Sequence, residues 1–135
     1  MSWITPKTDW TENTRWDKTD VNRIQDNLLF LKDHSSLMFN PPNYASMRLN
    51  LSYTDDIYAS DFNKITQNTL ALNDATFKLP VSEFPTFVAN GSTPTGTYFN
   101  GIESLLKQIK EKLDTNISIL NRLPVTLGNT KGVKT

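Results

Sequence analysis

Apolar residues recur at Val21, Ile24, Leu28 and Leu31, the i, i+3, i+7, i+10 spacing of one helical face. Phe62, Ile65 and Leu72 repeat it, with Thr69 standing where Leu28 stands. A longer seam follows at Ile102, Leu106, Ile109, Leu113, Ile117 and Leu120, widened by Leu105 and Ile119. Lys107, Lys110, Glu111, Lys112 and Asp114 cover its other side, and Pro124 stops it. The pattern predicts helices over about 19–34, 60–76 and 98–123. The fold class it implies is mainly α: a small three-helix bundle with an N-terminal aromatic arm over 1–18 and long irregular connectors. One helical domain over 1–125 is expected, followed by a flexible tail over 126–135. The long seam steps by 4, 3, 4, 4 and 3 residues, between a heptad and a straight 3.6-residue period. It suits packing on the first two helices, with a short coiled coil between subunits as the second reading.

The helical stretches are related to one another. Thr19–Asp33 and Ser60–Asp74 align at an offset of 41 residues, with seven of fifteen positions identical. Among these are Asp20/Asp61, Asn22/Asn63, Ile24/Ile65 and Asn27/Asn68. A weaker third copy begins at Thr97, with Phe99, Asn100 and Ile102 in register. Each copy reads as a helix start. Thr19, Ser60 and Thr97 are predicted to place hydroxyls on the free N–H groups of a first turn. Asp20 and Asp61 then sit where the helix dipole favours negative charge. The period is that of a helical repeat array, but connectors this dissimilar fit a compact bundle better.

The connectors carry their own signals. Pro41-Pro42 breaks regular structure after the first helix. Met47 to Tyr53 alternates apolar and polar residues, which predicts a short strand or an extended segment laid on the bundle. Residues 77–97 hold Pro80, Pro85, Pro94, Asn90-Gly91 and the aromatics Phe77, Phe84 and Phe87. They predict a long surface loop anchored by its rings, with room for a hairpin.

Charge and composition narrow the chemistry. Fourteen Lys and Arg balance fourteen Asp and Glu in 135 residues, which speaks against a nucleic-acid partner. Residues 1–33 hold five basic and six acidic side chains, whereas residues 101–135 hold six and three. An acidic front and a basic back attract each other weakly, within a fold or between subunits. No apolar run nears the roughly 20 residues of a membrane span, and the first ten residues lack a signal-peptide core. A soluble protein made in the cytosol, with no membrane partner, is expected.

There is no Cys and one His, His34, so disulfide frameworks and thiolate metal sites are excluded. A Ser-His-Asp triad would have to use His34, whose neighbours Asp33, Ser35 and Ser36 are adjacent only in sequence. At the end of the first helix, His34 suits a dipole-facing cation. Asp55-Asp56 point apart on either a strand or a helix and read as turn or cap residues. Asp17 and Asp20 read as helix caps. Five scattered glycines form no phosphate loop. No enzyme, cofactor or metal is expected. The aromatics are a better lead: Trp3, Trp10 and Trp16 stand in the first sixteen residues with Pro6. Such side chains anchor an interface, stack on sugars, or staple the arm to the bundle. Trp16 reads as a staple, and for Trp3 and Trp10 both readings stand.

The stretch Trp3-Ile4-Thr5-Pro6-Lys7-Thr8-Asp9-Trp10, followed by Asp20-Val21-Asn22-Arg23-Ile24-Gln25-Asp26-Asn27, resembles a segment of siphophage proteins. These come from the tail and baseplate region of phages infecting Gram-positive, Bacillus-type hosts. There a similar arm precedes a helix opening with Asp, an aromatic and Asn-Arg-Ile-Glu, and the pattern recurs, as Asp61 to Asn68 does here. Gln25 and Thr66 depart from the Glu, which is present as Glu103 in the third copy. The resemblance implies a virion structural protein, made in the host cytoplasm, with a helical module similar to a domain of lactococcal phage receptor-binding proteins. Its implied partners are other tail or baseplate proteins. A homo-oligomer and a cell-wall saccharide remain further partner classes. Trp3, Pro6 and Trp10 with Ile102, Leu106, Ile109, Leu113 and Leu120 form the candidate interface. The alternatives are a glycan-binding module using Trp3, Trp10 or the Phe84/Phe87 loop, and a non-virion assembly or host-takeover factor.

Overall fold

A computed structural model describes residues 2–122. It contains α1 (Lys18–Ser35), α2 (Ala59–Ala75) and α3 (Gly96–Arg122), and no strand among the described residues. The protein is a three-helix bundle, as the apolar pattern predicts. The expected stop at Pro124 and the tail over 126–135 lie outside the described residues. None of the helices described is long and apolar enough to cross a membrane.

The structure bears out Asp17 and Asp20 as capping residues of α1 and corrects the expected hydroxyl caps. Thr19, Ser60 and Thr97 sit at the second helical position of their helices and do not cap them. In α1 the cap is Asp17, whose carboxylate accepts the Thr19 N–H at 2.9 Å and the Asp20 N–H at 3.3 Å. Asp20 returns the bond by accepting the Asp17 N–H at 2.9 Å, completing a capping box. A carboxylate in the cap position is a stronger acceptor than a hydroxyl two residues on, so the helix begins earlier.

All three helices run parallel. Their first turns meet around Trp16, whose ring lies 5.2 Å from Phe62 and 5.4 Å from Phe99 and whose indole donates to the Pro94 carbonyl at 2.9 Å. At the opposite end His34 of α1 reaches Asp114 of α3 at 2.9 Å, and Phe39 meets Phe77. Val21, Ile24, Leu28 and Leu31 of α1, Phe62, Ile65 and Leu72 of α2, and Phe99 to Leu113 of α3 supply the buried stripe. Burying each such side chain contributes roughly 1.5–3 kcal/mol, the main term holding the bundle.

Parallel helices need long return connectors, and each connector lies extended in a groove between two helices. The arm fills the groove between α3 and α1, residues 36–58 the groove between α1 and α2, and residues 76–95 the groove between α2 and α3. The Met47–Tyr53 stretch is extended without being part of a sheet, and the 77–97 loop is anchored by Phe77, Phe84 and Phe87 with no hairpin strands. The internal repeat therefore marks three arm-plus-helix units arranged in a ring, with the first arm closing it against the last helix.

Candidate functional site

Extended backbone buried outside a sheet leaves its N–H and C=O groups without ladder partners. Asparagines of the repeat supply them. Asn22 accepts the Leu51 N–H and donates to the Leu51 carbonyl, both at 2.9 Å. Asn63, its counterpart in α2, holds Phe87 in the same way at 2.9 and 2.8 Å. Asn27 grips Ile4, and Asn68 grips Ala45, each through both amide atoms. Asn73 adds a fifth clamp on Leu79. A primary amide offers one donor and one acceptor in a fork that matches a peptide unit. Asn is thus suited to hold a connector where it crosses α1 or α2.

The third copy differs. Asn100 stands where Asn22 and Asn63 stand, yet its Oδ1 is buried with no hydrogen-bond partner among the described residues. Glu103, aligned with Gln25 and Thr66, takes over the work of holding the arm. It is fully buried and accepts four bonds. The Trp10 indole donates to it at 2.6 Å, the Lys7 N–H at 3.3 Å, and Arg23 of α1 from two nitrogens at 2.7 and 2.9 Å. Arg23 also meets Asp20 at 2.9 Å. The hydrogen bond to Glu103 raises the Arg23 pKa further above its ordinary value, against the opposing effect of burial. In α2 a similar pairing joins Asp61 to Arg48 at 3.0 and 2.7 Å.

These contacts place the predicted site residues. Trp10 is 6% exposed, stacked on Phe99 at 5.0 Å, so it belongs to the core and is not offered to a neighbour. Trp3 is half-buried between the Phe30 ring and Lys110, and Pro6 is half-buried beside it in the arm. Ile102, Leu106, Ile109 and Leu113 are fully buried within the bundle. This corrects the reading of that part of the seam as an intersubunit contact; Leu120, 49% exposed, is the exception. Ile24 and Ile65 are core residues. Phe87 is buried and Phe84 packs on Tyr98 and over Gly101, so those ring faces are engaged inside the fold. The recurrence of the asparagines is visible in the sequence, but their clamping role depends on partners 23 to 29 residues away.

His34 stacks on Phe30 and meets Asp114, while the Ser35 and Ser36 hydroxyls turn back to the Lys32 and Asp33 carbonyls. Neither hydroxyl addresses the imidazole, so the adjacent residues form no triad. Asp55 accepts the Ser52 N–H at 2.7 Å in a turn, as an acidic turn residue does. Among the described residues no group of three or more acidic or histidine side chains converges to hold a metal ion.

The open surface lies at the end where the helices start. A cleft of about 710 Å³ runs between the start of α2 and the 87–94 segment, and a second of about 570 Å³ between the start of α1 and the 51–57 segment. They are repeat-related and share Trp16 and Ile57 as a common wall. The corresponding place at the start of α3 is closed by the arm: a Cβ on Gly96 would lie 1.8 Å from the Thr11 carbonyl oxygen. No protein family, curated protein or solved structure matches the chain.

Proposed function

We propose that this chain is a non-enzymatic structural protein of a phage virion, a tail-tip or baseplate component or adaptor that acts through protein–protein contacts. The observation that carries this reading is where the repeat's polar side chains go. Asn22, Asn27, Asn63, Asn68, Arg23 and Glu103 all hold the protein's own connectors and arm in place. This chemistry serves a fixed shape, which is what an assembly component supplies to its neighbours. The arm whose sequence resembles siphophage tail proteins is the segment that closes the ring, through Lys7 and Trp10 on Glu103.

Mass spectrometry of purified virions tests the proposal. Peptides of this chain at a fixed copy number per particle are expected. Their absence from finished particles, with the protein present in infected cells, would overturn the virion role and favour an assembly accessory.

A further inference from the structure

The arm follows the first connector position by position. Trp3, Ile4, Lys7 and Trp10 stand 41 residues before Tyr44, Ala45, Arg48 and Leu51. The contacts agree with this register. Asn27 grips Ile4 as Asn68 grips Ala45. Glu103 accepts the Lys7 N–H, where Gln25, its counterpart on α1, donates to the Arg48 carbonyl. Lys110 lies over the Trp3 ring at 5.5 Å, and its counterpart Lys32 lies over Tyr44 at 5.3 Å. Met1 therefore aligns with Pro42, and residues 36–41 have no counterpart in the arm.

In the first connector those residues turn the chain from the end of α1 into its groove, and Met38 and Phe39 pack on the core as they do so. Beside the start of the arm that cover is missing. A cavity of about 300 Å³ lies open between Phe30, Asp33, His34 and Leu37, next to Trp3, and Leu37 is 63% exposed. Helix α3 has 27 residues against 18 in α1, so it outruns α1 by roughly 13 Å. Leu120, on the stripe that continues from Leu113, is 49% exposed there.

We infer that the segment following Arg122 is the first half of the third connector, turning back at Pro124 to lay Val125 over Leu120 and Leu127 in the cavity beside Leu37. Chain order selects this occupant. Residues 36–41 leave the end of α1 and Phe77 leaves the end of α2, where Phe39 and Phe77 meet at 5.3 Å. The residues that leave the end of α3 are 123–135. Their length suffices, since thirteen residues reach about 43 Å when extended and roughly four span the return. Proline cannot continue the helix, so the turn falls where the return must start. The Phe30 and Leu37 walls suit an aliphatic side chain. With this segment seated, each of the three grooves carries a complete connector.

The chain has no Cys, so an engineered pair reports the contact without background. In the full-length protein, Leu37→Cys with Leu127→Cys is expected to oxidise to an intrachain disulfide at least about tenfold faster than Tyr53→Cys with Leu127→Cys. Tyr53 is 94% exposed and lies at the other end of the bundle. Circular dichroism of the reduced proteins confirms that both pairs are folded. Full-length Leu127→Asp is expected to lower the melting temperature by about 4 °C. Equal oxidation rates for the two pairs would overturn the inference. So would a disulfide formed chiefly between chains, which would make a second copy the occupant. An unchanged melting temperature in Leu127→Asp would overturn it too, by leaving that side chain in solvent.

Discussion

Arg23 on α1 and Glu103 on α3 meet through two hydrogen bonds at 2.7 and 2.9 Å, tying the first unit of the repeat to the last. Around this pair the arm is fastened at Trp10 and Lys7. Removing one partner of a buried ion pair leaves a charge without compensation, typically about 3–5 kcal/mol. Arg23→Met leaves the fully buried Glu103 carboxylate without its cation and is therefore expected to destabilise the fold by that amount. Glu103→Leu leaves Arg23 paired with Asp20 but strips the acceptor from the Trp10 indole and the Lys7 N–H, so it is expected to cost less, about 1–3 kcal/mol, and to speed amide exchange at Lys7 first. Urea unfolding with site-resolved hydrogen exchange measures both. Unchanged exchange at Lys7 in Glu103→Leu would mean the arm does not depend on Glu103.

The asparagine clamps make a contrast within one protein. Asn63→Ala strips both partners from the Phe87 peptide, and a buried unsatisfied polar group costs about 1–3 kcal/mol. Asn22→Ala should behave alike at Leu51. Asn100→Ala removes an acceptor that has no partner among the described residues, so it is expected to be neutral or mildly stabilising. Chemical denaturation of the three variants side by side tests this. A large loss at Asn100 would show that its amide holds something that the fold does not account for.

Two glycines in α3 should respond differently to the same change. A Cβ at Gly96 would stand 1.8 Å from the Thr11 carbonyl oxygen, and backbone cannot swing away as a side chain can. Gly96→Ala is expected to reach or exceed the upper end of the usual 1–3 kcal/mol, roughly, for overpacking. At Gly101 the nearest atom is Phe84 Cε1 at 3.0 Å, on a ring able to shift. There the gain in helix propensity, about 1 kcal/mol, offsets the crowding. Thermal unfolding of both variants measures the difference, and similar melting temperatures would contradict the close approach of the arm to α3.

Asp61 predicts a pH dependence. Burial pushes its carboxyl up, but the Arg48 guanidinium and the Tyr58 N–H outweigh this and hold its pKa below the ordinary value. The native state then binds fewer protons than the unfolded state between the two values, so stability rises with pH across that window. The contribution is complete above the unfolded value of about 3.9 and is lost as pH falls through the depressed native value. Asp61→Asn should flatten the acid limb of a plot of urea midpoint against pH. An unchanged limb would mean that the pair with Arg48 contributes no linkage.

Helix number, approximate bounds and core stripe were legible because 3.6-residue periodicity is a local property of the chain. Val21, Ile24 and Leu28 announce their face whatever lies opposite. The threefold repeat was legible for the same reason, through Asn22/Asn63 and Asn27/Asn68. What those asparagines hold was not, since Leu51, Phe87, Ile4 and Ala45 lie 23 to 29 residues away and nothing in their own identity marks them as clamped. Trp10 shows the same limit. An indole reads alike whether it faces solvent or a buried carboxylate, and only the approach of Glu103, 93 residues on, settles that it is core.

Sequence alone thus determined three amphipathic helices, their relatedness and the absence of thiol chemistry. The tertiary structure decided that the helices are parallel, that each groove is filled by an extended connector, and that the Ile102–Leu113 seam is consumed inside the bundle. The division follows from the range of the forces involved. Periodicity and capping act within a few residues, whereas the partner of a buried amide or carboxylate is chosen by whichever distant segment reaches it when the chain closes.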